Sequence, residues 1–89
     1  MKVFKYLAPV EDRFTLFLPA GARVLHAEGI DDKVAIWALV DPRAGEVGRR
    51  FRLVSTGERI EESGPELLYV NTFFPGEGLV MHLFEVTSR

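Results

Sequence analysis

Five arginines crowd one short stretch of this chain: Arg43, Arg49, Arg50, Arg52 and Arg59. Only Glu46 and Glu58 oppose them there, so residues 43–59 carry a net +3 in a protein whose formal net charge is −2. A guanidinium donates two parallel hydrogen bonds in a fixed fork, which suits phosphate and carboxylate oxygens. On an extended strand Arg50 and Arg52 share a face and Arg49 is adjacent. Arg49, Arg50 and Arg52 could therefore hold an anion, with Trp37 or Tyr69 stacked on its ring. These five are the candidate ligand-binding residues. The same arginines also fit a solvated strand face that discourages edge pairing and balances Glu61, Glu62 and Glu66, and the sequence favours that plainer reading. For Trp37 it favours core or a subunit interface over a ligand platform.

Other chemistry is thin. His26 and His82 sit among apolar neighbours and fit structural imidazoles better than a general base or ligand. Without cysteine, and without two histidines at metal-ligand spacing, no metal site is expected. Nucleophile elbows and glycine-rich phosphate loops are missing as well, so no catalytic residue and no cofactor is implied, and the chain is expected not to be an enzyme. A pI of about 5.6 gives no global drive toward nucleic acid or anionic membrane. The N-terminus has no apolar h-region, and no run reaches spanning length, so the expectation is a cytoplasmic protein with no membrane association.

These side chains must be positioned by strands. The 89 residues suffice for one domain, 1–89, and 47% apolar content is ample for a thin core. The centre is Lys33 to Asp41, apolar on both alternating faces: Val34, Ile36, Ala38 and Val40 against Ala35, Trp37 and Leu39. Such a strand belongs in the middle of a stacked sheet or has one face closed by another subunit. Around it, alternation predicts strands over Lys2–Leu7, Arg13–Leu18, Arg23–Ile30, Arg49–Ser55, Leu67–Phe74 and Leu79–Val86. The first two are expected to form a hairpin about Pro9–Asp12. Pro42–Gly48 reads as a mobile loop, Ile60 as the start of a short return strand, and Thr87–Arg89 as a frayed end. Breakers recur about every ten residues and no helical period is sustained. The fold class is all-β: a small antiparallel β-sandwich or barrel-like domain of about seven strands.

The order of motifs, with Lys5-Tyr6 before Pro9, then Leu18-Pro19-Ala20-Gly21-Ala22, Trp37-Ala38-Leu39-Val40-Asp41-Pro42, Phe51-Arg52, Thr56-Gly57 and His82-Leu83-Phe84-Glu85, resembles a family of short uncharacterised bacteriophage and bacterial proteins. The resemblance spans Lys5 to Glu85. It implies a phage or prophage origin, with the host cytoplasm as the site of action, and carries over no catalytic role.

Two functions follow as expectations. In the first, the protein is a phage-type accessory that binds another protein or assembles with itself through a surface, without chemistry. In the second, an oligomer sequesters a small anionic, nucleotide-like ligand, by analogy a host defence signal. Both expect a homo-oligomer, because the apolar faces of Lys33–Asp41 exceed what a thin two-layer fold covers alone.

Overall fold

A computed structural model describes residues 1–87 and contains seven antiparallel strands in two sheets. The strands are β1 (Lys2–Pro9), β2 (Arg13–Pro19), β3 (Arg23–Ile30), β4 (Lys33–Val40), β5 (Glu46–Ser55), β6 (Leu67–Gly76) and β7 (Leu79–Val86). One sheet has the order β1-β4-β3 and the other β2-β5-β7-β6. They stack as a small β-sandwich whose Cα atoms span only 16 Å in the thin direction, consistent with two layers about 10 Å apart.

Alternation in β4 explains the core. Val34, Ile36, Ala38 and Val40 point inward and are fully buried against Leu18, Phe51, Leu53, Phe73 and Leu83 from the opposite sheet. Phe14 and Phe51, cross-strand partners on β2 and β5, stack with centroids 5.4 Å apart. The tight turn at Asp31-Asp32 holds both residues at positive φ, 49° and 62°, the twist a two-residue hairpin between β3 and β4 requires. Glu77-Gly78 repeats the device between β6 and β7.

The hairpin expected from β1 and β2 does not form. β1 pairs with β4 and β2 with β5, so the chain crosses between sheets at Val10–Asp12, returns from β2 to β3, and crosses again between β4 and β5. A proline-containing break turns the chain in either case, and only non-local partners decide between hairpin and crossing. β5 begins at Glu46, so the supposed loop Pro42–Gly48 is half strand; Ala20 donates its amide to the Gly45 carbonyl at 2.8 Å. Ile60 starts no strand; residues 56–66 cross from β5 to β6 over the outside of the four-stranded sheet. Thr87 is tied to the Glu66 carbonyl by its amide at 2.8 Å and its hydroxyl at 3.2 Å, whereas Ser88 and Arg89 lie outside the described residues.

Two bulges redirect side chains that strict alternation misplaces. The register slips between Val24 and His26, so Val24 packs inward while His26 turns outward beside Trp37. It slips again between Tyr69 and Asn71, which turns Asn71 and Phe73 inward and leaves Tyr69 and Thr72 outside. There Asn71 closes one side of the sandwich: its Oδ1 accepts the Ala27 amide at 2.7 Å and its Nδ2 donates to the Ala27 carbonyl at 2.9 Å. A side-chain amide thus satisfies the β3 edge as a neighbouring strand would. Close by, Gly29 meets Pro75 so tightly that an added Cβ would lie 2.7 Å from the Pro75 Cα.

Candidate functional site

The outer face of the four-stranded sheet carries the arginines. Register sets Arg13, Arg52, Phe84 and Tyr69 in one row, and Thr15, Arg50, Val86 and Leu67 in the next. Arg50 and Arg52 share this face, while Arg49 points to the opposite side of the same strand, between the sheets. The cluster is therefore divided by the sheet itself.

Arg52 is neither solvated nor open to a ligand: it is 4% exposed. The 56–66 segment lies over it and supplies two carboxylates. Its Nη2 donates to Glu58 at 3.2 Å and its Nε to Glu62 at 3.4 Å, while Nη1 donates to the carbonyls of Leu53 and Asp12. Arg13 adds a bond to Glu62 at 2.9 Å. Glu58 also accepts the Ser55 amide and hydroxyl. The backbone donor at Ser55 is the largest cause lowering the Glu58 pKa, with Arg52 adding to it. Glu62 is lowered by its own backbone amide first and by Arg13 and Arg52 after it. A groove beside this clasp is lined by Arg13, Thr15, Arg50, Glu62 and Val86.

Further along the same face, His82 has a threonine hydroxyl at each ring nitrogen: Thr56 at Nε2 and Thr72 at Nδ1, both 2.8 Å. The Thr72 hydroxyl in turn meets the Tyr69 hydroxyl at 2.6 Å. Tyr69 is further engaged by Phe84, with ring centroids 5.7 Å apart. The imidazole is thus held at both ring nitrogens by threonine hydroxyls, an arrangement that fixes the orientation of the ring.

Between the sheets, Arg49 forks onto Glu85 through Nε and Nη2 and donates Nη1 to the Ala22 carbonyl at 2.8 Å. That carboxylate pushes the guanidinium pKa further up, chiefly through the hydrogen bond. The pair floors a cleft of about 330 Å³ that Tyr69 and Leu68 also line. Of the five candidate ligand residues, Arg49 and Tyr69 share this cleft.

Trp37 stands apart, on the outer face of the three-stranded sheet. Cross-strand rows there read Val3-Leu39-Arg23, Lys5-Trp37-His26 and Leu7-Ala35-Glu28 across β1, β4 and β3. Val3 and Leu7 are 55% and 54% exposed, and the β3 bulge residue Leu25 is 43% exposed. Trp37 is half-buried against the His26 ring, 6.0 Å away, and His26 meets Glu28 at 3.4 Å. No segment of the chain covers this face among the described residues. It is an apolar stripe bordered by Lys5, Arg23 and Glu28.

Sequence reasoning missed Glu58, Glu85 and Asn71. Asn71 had a signal, a lone amide inside the apolar run Leu67–Phe74, where a buried polar group must find partners. Glu85 had the same one, between Phe84 and Val86. Among the described residues no group of three or more His, Asp or Glu could hold a metal ion, and no helix is long and apolar enough to cross a membrane.

A family model described as a domain of unknown function, DUF7352, matches residues 1–89. No curated protein and no solved structure matches the chain.

Proposed function

The chain belongs to the DUF7352 family, and we propose that it serves as a small non-enzymatic β module, of phage type, that binds another protein or assembles with itself. The working surface is the outer face of the three-stranded sheet. One observation carries this: β4 keeps apolar residues on both faces, yet only the inner one is covered, so Val3, Leu7, Trp37 and Leu39 form a contiguous apolar stripe. Exposed apolar patches rimmed by charge mark protein contacts more often than ligand sites. The other outer face argues the converse, since its Arg13 and Arg52 are engaged by carboxylates of the chain itself.

Because the chain lacks cysteine, single thiols report exposure cleanly. Val3→Cys and Leu7→Cys variants, with Thr15→Cys on the other sheet as control, are labelled by a maleimide in dilute purified protein and in lysate of the native host cell. Protection of the first two in lysate, with the control unchanged, supports the reading. Equal labelling of all three in both settings refutes it.

The alternative, capture of a nucleotide-like anion, retains one supporting observation: Arg49 and Tyr69 line a common cleft. An anion there would have to displace Glu85 from the guanidinium fork. Calorimetry with a nucleotide panel on the native protein and on Glu85→Gln decides it, and heat from neither ends this reading.

A further inference from the structure

Resting on the reading of that outer face as the working surface, we infer that its occupant is a second copy of this chain. The two copies dock face to face about a two-fold axis running across the strands, above the row Lys5-Trp37-His26.

The pattern of the rows selects this axis. A two-fold axis across the strands brings the Val3-Leu39-Arg23 row of one copy over the Leu7-Ala35-Glu28 row of the other. Val3 then meets Leu7 and Arg23 meets Glu28, each contact occurring twice because the interface is isologous, while Leu39 lies over the position of Ala35, which its own neighbours bury. Trp37 meets its own counterpart at the centre, where aromatic anchors contribute most, and Lys5 and His26, in the same row, also fall opposite their own counterparts. Lys5 lies on β1, at the rim, where its stem packs on apolar surface and its ammonium reaches water. In the isolated chain Glu28 leans only on exposed His26, so the acid is available to an arginine. A two-fold axis along the strands does worse: it lays Leu7 over Glu28 and Val3 over Arg23, burying charge against methyl groups. The face is thus self-complementary in one orientation.

Its size sets the strength. Three strands about 4.8 Å apart and eight residues long at about 3.3 Å each give a flat footprint of roughly 380 Å² per copy. That is under half the roughly 800 Å² per partner of a standard stable interface. The dimer is therefore weak, forming in the micromolar range or above, and the four charges decide whether it forms.

The test is sedimentation velocity from micromolar to millimolar concentration on the native chain, Arg23→Glu, Glu28→Arg and the double exchange, all four checked for native circular dichroism. Either single exchange puts two like-charge contacts in the dimer and weakens it by about tenfold or more. The double exchange restores opposite charges and recovers affinity to within about threefold of the native chain. A native chain that remains monomeric throughout, or a double exchange no better than the singles, overturns the inference. Thiol labelling separates the two levels. Val3→Cys protected in lysate while the pure protein stays monomeric leaves the face as a binding surface for a different partner and removes the second copy. Equal labelling everywhere, together with a native chain that stays monomeric to millimolar concentration, removes both.

Discussion

The two outer faces of this sandwich solve the same problem in opposite ways. The four-stranded sheet folds its own segment, residues 56–66, over Arg52 and Arg13 and clasps it with Glu58 and Glu62. The three-stranded sheet leaves Val3 and Leu7 exposed and Trp37 half-buried, with no segment among the described residues above them. One face is covered within the monomer, and the other is the one we propose a partner covers. Charge density is thus a poor guide to an open site here: Arg49 and Arg52, from the most basic stretch of the sequence, are held by Glu85, Glu58 and Glu62 of the chain itself.

The sharpest way to break this contrast is to unfasten the covered face. Arg52→Ala removes the donor shared by two carboxylates and two carbonyls, and a cut on one side of a buried ion pair costs about 3–5 kcal/mol. Because Glu58 and Glu62 retain some solvent, the expected loss falls below that range, about 2–3 kcal/mol, read from urea denaturation. A loss under about 0.5 kcal/mol, the range of an ordinary surface substitution, would show that the 56–66 segment merely rests on the sheet.

Acid attacks the same clasp more gently. Glu58 and Glu62 have lowered pKa values in the folded state, so below the ordinary glutamate pKa of about 4.3 the unfolded chain binds more protons than the folded one. Their stabilisation is complete above that pH and is lost as pH falls through the folded values. The melting temperature should fall as pH drops below about 4.3, and the double variant Glu58→Gln, Glu62→Gln should flatten that slope. An unchanged slope in the variant places the acid sensitivity elsewhere.

The smallest expected effect lies on the open face. Leu7→Asp changes a half-exposed side chain, so stability should move by no more than about 0.5 kcal/mol while self-association is lost. Large destabilisation with association intact would reverse the roles assigned to the two faces.

How much of this was legible in the chain depends on whether the signal was local. Lys33–Val40 declared itself because side-chain alternation is a property of consecutive residues, and the Asp31-Asp32 and Glu77-Gly78 turns follow from local backbone preference. What the sequence hid was non-local or shifted by one residue. Val10–Asp12 looks the same whether it closes a hairpin or crosses between layers. Single-residue bulges at Leu25 and Val70 moved His26 and Asn71 to faces opposite to those alternation assigns. The arginines were legible in part. Alternation already puts Arg50 and Arg52 on one face and Arg49 on the other, and the plainer reading set them against the acidic segment that holds Glu62; Glu58, beside Arg52, and Glu85, 36 residues from Arg49, were not seen.

Asn71 has a bearing on how the molecule breathes. The Ala27 amide is held by a side chain rooted in the opposing layer, not by a strand of its own layer, so it can meet solvent only when the two layers part. Deuterium uptake at that single amide would therefore time separation of the layers, free of the fraying that dominates the signal at other sheet margins.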